Sequence, residues 1–206
     1  MLIKSSIIPL ILIMFSACQS EDGLQLENRK NTDSSISVLV YDGQKSFNIH
    51  RNVDGNFIVS KNLLSTTVGN QYLLIVEKRN YLPSYIFKEW KGEETIISLP
   101  KLEAFPLDKK GKAYISGFLT RATIGGKIHF RSGIRPLNSV QKIHIFELDE
   151  NNMSKRDFFV ESNSSGYFGA YVNPSNYRVE YGKRKRFHLQ DGENGIFLMS
   201  IKTMID

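Results

Sequence analysis

The spacing that catalysis or metal binding needs is scarce in this chain. Its four histidines, His50, His129, His144 and His188, form no His-x-x-His or His-Glu-x-x-His pair, the spacings that turn two imidazoles onto one metal. It has no Gly-x-Ser-x-Gly elbow, phosphate loop or dinucleotide fingerprint. The sequence therefore predicts no catalytic residue, metal site or cofactor. Asp149-Glu150-Asn151-Asn152, with Asp157 beyond, is rich in oxygen ligands. It lacks the glycine and spacing of a calcium loop and reads as a solvated hairpin turn. Binding chemistry is more legible. Lys183, Arg184, Lys185 and Arg186 run consecutively after Gly182 and read as a mobile basic hairpin tip. Such a tip attracts anionic glycans or lipid headgroups, or serves only to solubilise and to discourage edge pairing. Tyr81, Tyr85 and Trp90 stack on sugar rings if they are exposed, and fill the core if they are not.

A different chemistry belongs to Cys18, the one cysteine of 206 residues. A single thiol rules out a disulfide scaffold. Lys4 precedes an apolar run, Ile7 to Phe15, followed by Ser16-Ala17-Cys18. These are the parts of a secretory signal, and the run is shorter than the ~20 residues that span a bilayer. Phe15-Ser16-Ala17-Cys18 resembles the lipobox of bacterial lipoproteins, with Phe15 where leucine is usual. The resemblance implies cleavage before Cys18, a diacylglycerol on its thiol and an acylated amine. Two or more acyl chains anchor a protein stably, whereas one does so marginally. It also implies an outer-membrane lipoprotein, on the periplasmic face or the cell surface. Ser20-Glu21-Asp22 resembles the surface-export signal of Bacteroidota lipoproteins, with a plain polar tether as the alternative. Residues 1–17 read as the signal peptide and 18–34 as a lipidated, flexible stalk.

The remaining composition is that of a sheet protein. Hydrophobic residues make up 41% and charged residues 23%, enough apolar surface to bury a core. Isoleucine outnumbers alanine 21 to 5, beside 13 Phe and 9 Tyr. β-Branched and aromatic side chains suit a pleated sheet and argue against a helical bundle. The net charge of +6 becomes +5 once Lys4 leaves with the signal. Export excludes nucleic acid as a natural partner.

Strands and turns follow one another from residue 35. Ile36, Val38 and Val40 alternate before Asp42-Gly43; Phe47 and Ile49 alternate after it. Asp54-Gly55-Asn56 leads into Phe57, residues 71–78 hold the continuous apolar run Tyr72-Leu-Leu-Ile-Val76, and residues 95–99 close the set. A second set follows. It comprises a strand at 127–131, a turn from Ser132-Gly133 to Pro136, a strand at 141–148 and a turn at Ser165-Gly166. Tyr167-Phe168 and an alternating strand at 177–181 complete it. Tyr114–Leu119 is ambiguous, fitting a first strand of the second set. Residues 100–111 read as a short linker whose Ala104, Phe105 and Leu107 predict packing between the sets.

Asp54-Gly55-Asn56-Phe57 matches Ser165-Gly166-Tyr167-Phe168, and each precedes a Tyr-started strand, at Tyr72 and Tyr177. This order resembles the carboxypeptidase regulatory-like, or transthyretin-like, β-sandwich domain of bacterial surface lipoproteins. Immunoglobulin- and fibronectin-type sandwiches share its periodicity and remain open. The expected fold is all-β, with two tandem antiparallel β-sandwich units at 35–103 and 104–206. Phe57 and Phe168 are expected to plug their cores, so that Phe→Ala unfolds its own unit. The hydrolase of the transthyretin-like fold ends in Tyr-Arg-Gly-Ser; the chain ends Lys202-Thr-Met-Ile-Asp206, so that activity is not carried over. The expected function is a membrane-anchored, non-catalytic binding or assembly module for an envelope protein or surface polymer. The alternative is a surface carbohydrate-binding lipoprotein of a glycan-uptake system.

Overall fold

The computed structural model describes residues 36–64, 68–125 and 130–205. Cys18, the signal and stalk, and His129 lie outside them. The first strands are β1 (Ser37–Tyr41), β2 (Ser46–Ile49), β3 (Phe57–Val59), β4 (Gln71–Glu77), β5 (Ser84–Glu89) and β6 (Thr95–Ile97). A short 3-10 turn, Leu107–Lys109, precedes β7 (Ala113–Gly125), β8 (Phe130–Pro136), β9 (Lys142–Leu148) and β10 (Ser154–Glu161). The chain continues with β11 (Tyr167–Val172), β12 (Ser175–Tyr181), β13 (Lys183–Leu189) and β14 (Asn194–Ile205).

The protein is all-β, and its sheets repeat one plan. The order β2-β1-β4-β5 reappears as β10-β9-β12-β13. The facing sheet is β3-β6 in the first sandwich and β11-β7-β14, with β8 on β7, in the second. The second sandwich therefore contains an extra strand, β7, between the partners equivalent to β3 and β6. β7 pairs β11 antiparallel but β14 in parallel, along Asn194–Ile205. The sandwiches are otherwise antiparallel, as expected, and this is the one parallel ladder among the described residues. β14 and β7 are far apart in sequence, and only a long connection can place two strands in parallel.

Strand alternation builds three cores. Tyr72, Leu74 and Val76 of β4 face Phe57, Val59 and Ile97 in the first sandwich. Ile115 and Leu119 of β7 face Ile143, Ile145, Tyr177 and Val179 in the second. The other side of β4, Leu73 and Ile75, meets Phe118, Ile134, Ile196 and Leu198 in a third core. The two inner sheets are thus buried on both faces, and the layers run β3-β6, β2-β1-β4-β5, β11-β7-β14, β10-β9-β12-β13. Among the described residues no further layer covers the outer side of the last sheet.

The turn expected at Ser132-Gly133 is instead part of β8. Glycine serves there by allowing close approach, since a Cβ on Gly133 would strike the Gln71 backbone of β4. The Gly55 and Gly166 turns do have the predicted left-handed backbone, with φ of 79° and 96°. Phe57 and Phe168, two residues on, are 4% and 1% exposed.

Candidate functional site

The basic run is a strand, not a mobile tip. Gly182, with φ of 62°, turns the chain so tightly that Tyr181 already pairs with Lys183. β13 then runs along β12 as the sheet's last strand. Successive side chains in a strand point to opposite faces, so the four cations divide into two pairs with different work. Lys183 and Lys185 turn toward β14. The Lys183 ammonium lies 5.7 Å from the Phe197 ring centroid, and burial of that amine pulls its pKa below the usual lysine value. Lys185 Nζ donates to the Ile196 carbonyl at 3.0 Å. These two lysines close the seam between the sheets and tie off an edge carbonyl of β14.

Arg184 and Arg186 project from the uncovered outer face. Tyr177 and Val179 point into the core, so Asn176, Arg178 and Glu180 of β12 share that face. Register sets three rungs across β12 and β13: Glu180 opposite Arg184, Arg178 opposite Arg186, and Asn176 opposite His188. Glu180 Oε1 lies 3.0 Å from Arg184 Nε and 2.7 Å from Arg178 Nε. The Arg178 contact brings opposite charges together without the angle of a hydrogen bond. Arg186 has no acidic partner among the described residues. On the third rung, His188 Nδ1 lies 2.7 Å from Asn176 Oδ1.

A pile of rings flanks these rungs. The His144 ring lies 3.9 Å from Phe146 and 4.1 Å from Phe159, the latter stacked at 19°. Arg178 caps Phe146, its guanidinium carbon 4.3 Å from the ring centroid, and Lys142 Nζ lies 4.3 Å from that of Phe159. Asp157 Oδ2 holds His144 Nε2 at 2.5 Å. Phe159 is 51% exposed, but the stack turns its rings toward one another. Sequence reasoning missed Phe146, Phe159 and this role of His144. A signal existed, because placing Ile143 and Ile145 inward already places Lys142, His144 and Phe146 outward.

Of the two readings of Tyr81, Tyr85 and Trp90, filling the core or stacking on sugars, the packing of Tyr85 and Trp90 matches the first. Trp90 is 3% exposed, packed edge-on against Tyr72 in the first core. Tyr85 lies between the sandwiches, its hydroxyl 2.8 Å from Ser116 Oγ and its ring against Phe118 and Tyr167. Tyr81 is half-buried, with Lys78 Nζ 4.7 Å from its ring centroid. Within the stretch, β5 pairs with β4; its Tyr85 and Phe87 rings pack on the third core, and Trp90, just past its end, lies in the first.

Other candidates are already engaged. The Asp149 carboxylate accepts the backbone N–H groups of Asn151 and Met153 at 2.9 and 2.8 Å, which makes it a turn former. Among the described residues no three His, Cys, Asp or Glu side chains converge as metal ligands. A groove of about 420 Å³ is lined by Lys112, Arg156, Asp157 and Tyr171 among others. Its polar side chains are engaged: Lys112 donates to the Asn173 side-chain oxygen, Arg156 pairs with Glu147, and Asp157 lies against His144.

No family model and no curated protein matches the chain. Among solved structures, it is 12% identical to the Bacillus anthracis TIE protein, with a TM-score of 0.29. That match covers 85% of this chain and 32% of the other, so the chain spans about a third of that protein's length. It is 10% identical to GBS52, the minor pilin of Streptococcus agalactiae, with a TM-score of 0.31, covering 86% and 87% of the two chains. Likeness at this level fixes neither family nor function.

Proposed function

We propose that the chain is an envelope lipoprotein, anchored through Cys18 to the outer membrane, acting as a non-catalytic binding or assembly module. Its two units, 35–103 and 104–206, are read as copies of one regulatory-like sandwich, a reading supported by their common strand order. The working surface is the outer face of β10-β9-β12-β13. One observation carries this: on the β12-β13 part of the uncovered sheet face three guanidiniums, Arg178, Arg184 and Arg186, cluster around one carboxylate, Glu180, while Asp157 lies beside His144 on the β9-β10 part. Arg178 caps the Phe146 ring, but packing uses neither Arg184 nor Arg186 in this way, and an anionic surface would meet their charge. Capture of neutral glycans on aromatic rings is less well supported, with Tyr85 and Trp90 facing inward.

Anchoring and docking are tested separately. Cys18→Ala should abolish palmitate labelling and release the protein from the membrane fraction; labelling that persists would overturn the anchor. For docking, the detergent-solubilised full chain is bound to isolated envelopes. The double variant Arg184→Ser/Arg186→Ser should weaken that binding at least tenfold, while Lys183 and Lys185 keep the seam closed. Unchanged binding would remove this face from the function.

A further inference from the structure

The middle rung of the outer face is an electrostatic anomaly. Arg178 and Arg186 are direct cross-strand partners on the same face. Residues so placed have Cβ atoms about 4.5–5.5 Å apart, and like charges there destabilise a sheet. Arg178 leans away onto Phe146 and toward Glu180, but Glu180 also serves Arg184. Arg186 is left with its charge uncompensated beside two other guanidiniums. The arrangement costs the fold stability and gains a fixed positive site.

We propose that this rung binds the carboxylates of an acidic polysaccharide, an inference that rests on the docking face described above. A guanidinium is a planar fork of donors matched to a carboxylate, and it stays charged at every physiological pH. About 7 Å along the strands, the next rung offers Asn176 and His188, whose amide and ring nitrogens can hydrogen-bond hydroxyls. Carboxylates on one rung and hydroxyls on the next fit a polymer of sugar acids. Single-stranded nucleic acid needs open ring faces on which to stack its bases. Here Phe146 and Phe159 are covered by His144, Arg178 and Lys142. Anionic lipid headgroups attract the same charges, but firm docking on a bilayer adds inserted apolar side chains, and among the described residues of this face Phe159 alone is a large apolar side chain strongly exposed.

The test uses the full chain in detergent with polygalacturonate, neutral dextran, poly-L-glutamate and phosphatidylglycerol vesicles as probes. Polygalacturonate should bind at low salt and release steeply as salt is added, while dextran should not bind. Arg186→Gln should reduce polygalacturonate binding at least tenfold and leave the thermal midpoint unchanged or higher, because the like-charge pair is relieved. Asn176→Ala should weaken binding severalfold. A midpoint several degrees lower in Arg186→Gln would mark a structural arginine and overturn the proposal. So would failure of polygalacturonate to bind, undiminished binding by the variant, or equal binding of poly-L-glutamate or vesicles. If envelope binding still depends on Arg184 and Arg186 while polygalacturonate does not bind, the docking face stands and the polysaccharide falls.

Discussion

Asn52 and Asn163 hold equivalent turns in the two sandwiches, each with one side-chain oxygen. Asn52 Oδ1 accepts the N–H groups of Asp54 and Asn56 at 3.1 and 2.9 Å. Asn163 Oδ1 accepts those of Ser165 and Tyr167, both at 3.0 Å. In each turn the glycine three residues on donates to the asparagine's own carbonyl at 3.0 Å. Asn-x-x-Gly-x-Phe is thus the repeated unit. Asn52→Ala or Asn163→Ala removes two such bonds and should cost about 1–2 kcal/mol, read as a shift in the urea midpoint. Asn→Asp keeps the acceptor and should restore most of the loss; failure to do so would separate the turns from these bonds.

The two glycines of these turns should respond unequally. An alanine Cβ at Gly55 meets nothing within 4 Å. Its cost is therefore the left-handed backbone alone, about 1–2 kcal/mol. At Gly166 the same Cβ would run into the Leu119 carbonyl of β7, so Gly166→Ala should cost well beyond about 2 kcal/mol. Denaturation curves of the two variants measured side by side decide this. Equal losses would mean that β7 does not press on the second turn.

Alkaline pH should destabilise the fold through tyrosines. Burial drives the Tyr85 hydroxyl well above the ordinary tyrosine range. Tyr114 is raised first by burial and then by its 2.8 Å bond to the Tyr167 hydroxyl. The unfolded chain loses these protons near pH 10, before the folded chain does. Above that pH the folded state binds more protons, so stability is full below it and falls as pH rises. Tyr85→Phe should shift the alkaline unfolding midpoint upward, followed by the absorbance of ionised tyrosine. A midpoint unmoved in Tyr85→Phe would exclude that hydroxyl from the alkaline limit.

What could be read from the sequence was local. The strands around Val38, Tyr72, Ile143 and Val179 were marked by alternation or apolar runs, and the Gly55 and Gly166 turns by residues that tolerate positive φ. Pairing between distant segments left no such mark. Nothing near Asn194–Ile205 indicates a parallel partner at Ala113–Gly125. Lys183–Arg186 read as a loop because consecutive cations do not resemble a strand. Tertiary pairing with β12 overrode that preference and divided the cations between two faces. The site was half legible for this reason: the charges were visible, but not which of them reach solvent. Of the rings beside them, Phe159 was hidden in β10, whose alternation is weak, while His144 and Phe146 followed from the alternation of β9.

Leu73 and Ile134 should make the two sandwiches unfold as one. Both are fully buried in the core that joins the inner sheets. Removing most of a buried leucine typically costs ~2–5 kcal/mol, because the cavity left behind does not fully collapse. Were the sandwiches independent, Leu73→Ala would loosen only the first, and Phe57→Ala likewise. With a shared core, losing the first sandwich would expose Phe118, Ile134, Ile196 and Leu198 of the second to water, a penalty that couples the two. Trp90, the one tryptophan, reports the first sandwich from inside its core, and amide exchange at Ile145 and Val179 reports the second. In Leu73→Ala both signals should move together to one lower denaturant midpoint, with a single transition. Two separated midpoints, with Trp90 released first and Val179 still protected, would show that each sandwich stands alone.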